Sequence, residues 1–159
     1  MSSIDRYAVI GHPIAHSKSP SIHELFAKQT AQSMTYDAID IAPADLANEL
    51  KAFFNHGGCG LNVTVPHKEQ IPALVDQLSS RAKLAGAVNT IAKLPNGELV
   101  GDNTDGEGLL RDMVVNLNAN LEDARILILG AGGATRGIIP ALLSAQPHLI
   151  KISKRSFTR

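Results

Sequence analysis

The chain has 159 residues, with 15 Lys+Arg balanced by 15 Asp+Glu, 44% hydrophobic residues and no Trp. A chain of this length buries roughly 70% of its unfolded surface, enough for one domain or two small ones, and its zero net charge argues against a nucleic-acid surface. No apolar run approaches the ~18 residues of a membrane span, the first residues lack a signal-peptide pattern, and the single Cys59 cannot form an internal disulfide, which fits a reducing cytoplasm.

Residues 7–10 are apolar and β-favouring and end at Gly11, the pattern of a buried strand. A polar loop follows over 12–18. Ser19 and Pro20 then open a helix, Ser19 as N-cap and Pro20 in the first turn, with Ile22, Leu25 and Phe26 on its apolar face. Residues 36–41 read as a second strand. Pro43 opens a helix with Leu46, Leu50, Phe53 and Phe54 on one face, stopped by Gly57 and Gly58. Residues 61–65 form a third strand, Pro66 begins a short helical segment, and a further helix runs through 78–84. Two strands, 87–94 and 98–100, flank the hairpin signal Pro95-Asn96-Gly97. Thr104 and Glu107 form a capping box ahead of Leu109, Leu110, Met113, Val114 and Leu117 at helical spacing. The polar stretch 116–123 suits a boundary. A buried strand over 125–129, a glycine-rich turn, a helix to Ser144 and a strand over 149–153 complete the chain. Strands alternating with helices imply an α/β protein with a mostly parallel sheet. The expected division is a first domain over 1–103, a connecting helix and linker over 104–123, and the first strand–helix–strand of a Rossmann-type domain over 124–159.

Gly130, Ala131, Gly132, Gly133 and Ala134 join a strand to a helix, where backbone N–H groups and the helix N-terminus can meet a dinucleotide pyrophosphate. The generic fingerprint wants Gly or Ala at its third anchor, where Thr135 stands. The next strand ends in Lys154, Arg155, Ser156 and, further on, Arg159, with cations and no acid. Arginine suits a ribose 2′-phosphate, so NADP is expected over NAD. Upstream, Asn62 and Thr64 share one face at the end of a strand, placed to hydrogen-bond a hydroxylated ligand. Lys68 falls in the first turn of a helical segment, where a cation opposes the macrodipole and calls for an anionic partner. Asp105 opens a later helix and is expected to face Lys68 across the crevice, a pair able to hold and exchange the proton of a hydroxyl or carbonyl. Ser17 and Ser19 sit at a loop-to-helix junction, and Asn89 is a polar residue in an expected strand. The six histidines show no paired metal-ligand spacing, so no metal is expected. Cys59 reads as a small buried residue.

Taken in order, the stretches from Gly11 to Pro20, Asn62 to Lys68, Gly86 to Thr90, Gly101 to Gly106 and Gly130 to Ala134 resemble five motifs of the shikimate dehydrogenase family. The resemblance runs across essentially the whole chain. It implies a substrate domain followed by an NADP domain, and reduction of 3-dehydroshikimate to shikimate on the route to aromatic amino acids. It further implies that Ser17 and Ser19 bind the substrate carboxylate and that Asn62, Thr64, Asn89 and Asp105 hold its hydroxyls. Lys68 and Asp105 would form the catalytic pair. The family's Asn-Arg-Thr after the second strand reads Lys154-Arg155-Ser156 here, and His67 also departs from the usual residue. A non-catalytic shikimate-binding fragment and a quinate/shikimate dehydrogenase are the alternatives; the basic strand end disfavours an NAD-using form. A dinucleotide domain needs two βαβ halves, and residues 125–159 supply one strand–helix–strand. The expectation is therefore a truncated, poorly active form whose open sheet edge invites self-association.

Overall fold

The computed structural model describes residues 4–154. In chain order the elements are β1 (Asp5–Gly11), α1 (Ser19–Thr30), β2 (Met34–Asp40), α2 (Leu46–Asn55), β3 (Gly58–Val63), β4 (Gln77–Leu78), α3 (Ser80–Ala85), β5 (Thr90–Lys93), β6 (Leu99–Asp102), α4 (Asp105–Arg111), β7 (Arg125–Leu129), α5 (Gly133–Ser144) and β8 (Leu149–Ser153). Two 3-10 turns, His67–Glu69 and Ile71–Ala73, lie between β3 and β4, and α4 runs into a π-helical turn, Asp112–Asn116.

The first six strands form one sheet in the order β2-β1-β3-β5-β6-β4. β1 pairs in parallel with β2 and β3, and β4 with β6, while β5 is antiparallel to both of its neighbours. The sheet is thus mainly parallel, as expected, with one reversed strand that the Pro95-Asn96-Gly97 hairpin requires. This reversal decides where the polar residues fall. In parallel β1 and β3 the C-terminal ends lie at one sheet edge; register pairs Asn62 with Thr90 and Thr90 with Asp102, bringing the start of β5 and the end of β6 to that same edge. β7 and β8 form a second, parallel sheet.

The core of the first sheet joins Ala8 and Ile10, Leu61 and Val63, and Ile91 to Leu46, Leu50 and Phe54 of α2. The spacing of those three helical positions puts them on one stripe, and each such side chain contributes about 1.5–3 kcal/mol when fully buried. A second cluster holds Leu121, Ile128 and Leu142, with Leu109, Leu110 and Met113 packed against it. The helix after Asp105 therefore lends its apolar stripe to the second sheet.

Several local expectations are corrected. Lys18, not Ser19, occupies the cap position of α1; the Ser17 hydroxyl accepts the Ser19 N–H at 3.3 Å, two residues earlier than a Ser19 cap would place the contact. Ile22, Leu25 and Phe26 do not make a buried face: they are 45%, 59% and 53% exposed. The third strand spans Gly58–Val63, so Thr64 and Val65 follow it and the alternation ends there. The capping box at Thr104 is absent; the Thr104 hydroxyl is engaged by Asn89, and the Asp105 N–H is accepted by the Asn103 side chain at 3.2 Å. Cys59 is half-buried, not buried, with its thiol 3.7 Å from the Gly57 carbonyl.

Candidate active site

Lys68 lies in a single 3-10 turn, too short for an appreciable macrodipole. Its anionic partner is nonetheless present: Nζ donates to Asp105 Oδ2 at 2.6 Å, with the side chains 13% and 24% exposed. Asn89 Nδ2 donates to the other oxygen, Asp105 Oδ1, at 2.8 Å. The carboxylate is thus held between an ammonium and an amide, with one oxygen given to each. The Asn89 amide oxygen accepts from the Thr104 backbone N–H at 3.0 Å, and the Asn89 backbone N–H donates to the Asp102 carbonyl. Lys68 is fixed as well, because its own carbonyl accepts the Val88 N–H at 2.8 Å.

Asn103 sets Asp105 from behind. Only 2% exposed, it donates through Nδ2 to the Ala87 carbonyl at 2.9 Å while its oxygen takes the Asp105 N–H. Asp102 anchors the same segment. Arg81 forks onto both of its oxygens, at 2.7 and 2.5 Å, and the Ser79 hydroxyl donates at 2.6 Å while capping α3. The Arg81 guanidinium beside it, with Ser79 and the Asn103 N–H, holds the Asp102 carboxyl down at about 2. A carboxyl whose pKa falls on folding contributes stability that is complete above its ordinary 3.8 and is lost as pH drops through about 2. Arg81 is 46% exposed and solvent screens the pair, so the expected loss is about 1–2 kcal/mol. Urea titrations from pH 5 to 2 should show this slope in the wild-type chain and a shallower one in Asp102→Asn.

The remaining expected site residues lie at the same sheet edge. Asn62 is the penultimate residue of β3 and bonds to Tyr36 and Thr90. Thr64 presses on Gly11, where an added Cβ would sit 2.6 Å from the threonine methyl, so only glycine fits. Ser17 and Ser19, both half-buried, belong to the loop leaving β1, which is pinned by Asp40 at the end of β2: that carboxylate meets His12 Nδ1 at 2.6 Å and accepts the Ile14 N–H at 3.0 Å. His67 points into the core, fully buried, donating from Nε2 to the Ile41 carbonyl at 2.9 Å while Nδ1 has no hydrogen-bond partner among the described residues.

The glycine loop abuts this cluster. A Cβ on Gly133 would stand 3.3 Å from the Lys68 Cβ, and Arg136 in the first turns of α5 lies 3.8 Å from Glu69. Gly130 has a φ of +118°, which favours glycine, and the backbone of Gly132 opens on free space. Thr135 fits the third anchor for a physical reason: its hydroxyl donates to the Gly130 carbonyl at 3.0 Å and closes the loop from inside. No side chain caps α5 and no acid occupies its first turn. The exposed Ala131, Gly132 and Ala134 and the half-buried Gly133 therefore present an N-terminus suited to an anionic pyrophosphate. Lys154 follows β8 at the surface; Arg155, Ser156 and Arg159 lie outside the described residues.

The expected site residues did not include Tyr36, Thr90, Thr104 or Asn103. Thr90 and Thr104 adjoin Asn89 and Asp105 in the motifs, a signal that could have found them; Tyr36 carried none.

A mainly parallel sheet with an ion pair and amides at its edge, set against a glycine loop on a second sheet, is the arrangement of an α/β protein that pairs a polar ligand crevice with a Rossmann-type loop. The model of the shikimate dehydrogenase substrate binding domain matches residues 9–91, and the chain belongs to that family. It is 54% identical over 157 residues to a shikimate dehydrogenase (NADP(+)) of Vibrio campbellii, covering 98% of this chain and 56% of the relative. The chain spans about half the length of the curated relatives it matches. Among solved structures, shikimate 5-dehydrogenase from Thermus thermophilus in complex with NADP(H) and shikimate superposes with a TM-score of 0.88 at 35% identity, over 96% of this chain and 57% of that one. A 5-ketofructose reductase of Gluconobacter sp. strain CHM43 superposes with a TM-score of 0.83 at 29% identity, over 94% of this chain and 53% of that one.

Proposed function

We propose that this chain carries the shikimate site of an NADP-dependent dehydrogenase that interconverts 3-dehydroshikimate and shikimate. The observation that supports it most is the Lys68–Asp105 pair, 2.6 Å apart, with Asn89 on the second carboxylate oxygen and Gly133 against Lys68. Asn62, Thr64, Asn89 and Asp105 would bind substrate hydroxyls, and Ser17 and Ser19 its carboxylate. We assign residues 1–103 to substrate binding, 104–123 to the connection and 124–159 to NADP. The loop at Gly130, Ala131, Gly132, Gly133 and Ala134 would take the pyrophosphate, and Arg155 and Arg159 the 2′-phosphate, aided by Lys154 and Ser156.

Bound reduced NADP would supply the hydride to the ketone carbon. The chain's own task is the proton and the charge. Lys68 Nζ would donate its proton to the carbonyl oxygen as that oxygen gains negative charge, and Asp105 would hold the ammonium on target. In the reverse direction the lysine, as its neutral amine, would take the hydroxyl proton while the hydride would pass from the carbinol carbon to oxidised NADP. A Lys68 ammonium with an established carboxylate partner has little rotational freedom left to lose, which favours a correctly aimed transfer.

Shikimate-dependent NADP+ reduction, followed at the nicotinamide absorbance, tests the reading, with calorimetric titration of each ligand alongside. Turnover together with binding of both ligands supports it. Binding of shikimate without NADP+ selects the non-catalytic binder, and equal use of quinate with NAD+ selects the quinate/shikimate form. We also propose self-association through the second sheet, where Leu127 and Leu129 are 60% and 80% exposed. Sedimentation at rising concentration should then show species larger than a monomer, and Leu129→Lys should reduce them.

A further inference from the structure

A one-way run of hydrogen bonds links residues of three strands, β2, β3 and β5, and ends on the candidate catalytic carboxylate. The Tyr36 hydroxyl in β2 donates to Asn62 Oδ1 at 2.6 Å. Asn62 Nδ2 donates to Thr90 Oγ1 at 3.3 Å, and that hydroxyl donates to Asn89 Oδ1 at 2.9 Å. Asn89 Nδ2 then donates to Asp105 Oδ1 at 2.8 Å.

Chemistry alone fixes the direction of every link. A carboxylate only accepts, so the nitrogen of Asn89 must face Asp105. The Asn89 oxygen then faces Thr90, an orientation locked a second time by the Thr104 backbone N–H, which only donates. An amide oxygen cannot donate, so the single proton of Thr90 points at Asn89 and its oxygen is left to accept. Asn62 must therefore turn its nitrogen to Thr90 and its oxygen to Tyr36, and Tyr36 must be the donor. Had either amide been flipped, two acceptors or two donors would meet. Tyr36 is suited to that end of the run. Its ring lies flat on His23, with centroids 3.9 Å apart and planes 5° apart, and burial pushes its hydroxyl up to about 12, so the proton stays on.

We propose that Tyr36 and Thr90 are positioning residues, whose hydroxyls orient the Asn62 and Asn89 amides so that Asn89 presents its N–H to Asp105 and Asp105 keeps its other oxygen for Lys68. Neither residue needs to touch the substrate. Thr90 is the link on which the whole run depends, since it bonds both asparagines, while Tyr36 biases the far amide. The functional meaning of the device rests on the shikimate-site reading above; its geometry does not.

The test uses the full 159-residue chain and two readouts. The first is the side-chain amide NMR signals of Asn62 and Asn89 in the ligand-free protein. The second is the calorimetric Kd for shikimate. Thr90→Val, which keeps the shape and removes the hydroxyl, should shift the signals of both asparagines and weaken shikimate binding by about threefold to tenfold, the worth of one lost hydrogen bond. Thr90→Ser should restore both readouts, which a packing role for the threonine methyl would not allow. Tyr36→Phe should shift Asn62 strongly and Asn89 less, and the double variant Tyr36→Phe/Thr90→Val should be no worse than Thr90→Val, because both break one run. Unchanged Asn89 signals in Thr90→Val, or a Thr90→Ser variant as impaired as Thr90→Val, would overturn the proposal. If the wild-type chain does not bind shikimate, the function proposed above fails, and the amide signals still decide whether Tyr36 and Thr90 orient the two asparagines.

Discussion

Lys68→Met is expected to lower shikimate-dependent turnover by about 10²–10⁴-fold, the usual contribution of a positioned acid–base group. Methionine keeps the length and apolar stem of lysine and removes only the ammonium. What remains is a carboxylate, 24% exposed, that has lost its 2.6 Å partner and retains Asn89 and any water that enters. Leaving one member of such a pair costs about 1–3 kcal/mol of stability, below the figure for a fully buried pair because solvent reaches both groups. The two effects separate by a second change. Lys68→Met/Asp105→Asn removes both charges and should regain most of the stability while recovering none of the turnover. Urea midpoints read the first and initial rates the second. Turnover in Lys68→Met within a few-fold of the wild-type chain would remove lysine from the chemistry, whatever happened to stability.

The parts of this site that were legible in the sequence share a physical reason. Asn62, Lys68, Asn89 and Asp105 stand next to residues that fix the chain locally: Pro66, the Gly86 turn and the start of α4. Glycine loops and proline-started turns show themselves because the backbone demands those residue types. The Lys68–Asp105 pair forms as expected but not through a helix dipole: the turn at Lys68 is too short for one, an acid opening α4 needs no cation, and what joins the two is their placement at the same sheet edge. The rest depended on register. Tyr36 is separated from Thr90 by two intervening strands, and only the pairing β2-β1-β3-β5 with Asn62 opposite Thr90 brings them into one run. The missed capping box has the same origin. Thr104 followed by Glu107 reads as a helix cap locally, but Asn89 arrives just ahead of β5 and takes the hydroxyl, and Asn103 supplies the cap instead. The exposed Ile22, Leu25 and Phe26 have the spacing of a packed stripe, which spacing alone cannot assign to a partner. Long-range partners override local preference wherever several polar groups compete for few donors.

Gly137→Ala should destabilise the chain although helix propensity predicts the reverse. Alanine inside α5 would by itself gain about 0.8–1.0 kcal/mol over glycine. At this position the new Cβ would lie 2.7 Å from Asn103 Oδ1 and 2.9 Å from its Nδ2. Asn103 cannot swing aside freely, because it is buried and bonded at both ends, to the Ala87 carbonyl and the Asp105 N–H. Relief requires either breaking those bonds, about 1–3 kcal/mol for a buried group left unsatisfied, or pushing α5 off α4. The second route costs packing, since α4 and α5 are in such close approach at Gly106 and Gly137 that a Cβ on Gly106 would sit 2.6 Å from the Gly137 carbonyl oxygen, and separating them opens that contact. Overpacking of this kind costs about 1–3 kcal/mol, so after the propensity gain the net loss is expected at about 0–2 kcal/mol, or a fall in Tm of up to roughly 8 °C for a chain of this size. The same clash acts on the site, because the side chain it displaces is the one that holds the Asp105 amide. Shikimate affinity should therefore fall several-fold in Gly137→Ala, and a companion Asn103→Ser change, which shortens the obstructing side chain, should recover part of the lost Tm by more than simple addition allows. A Tm that rises in Gly137→Ala would mean that propensity outweighs the contact and that α5 is free to move away from Asn103.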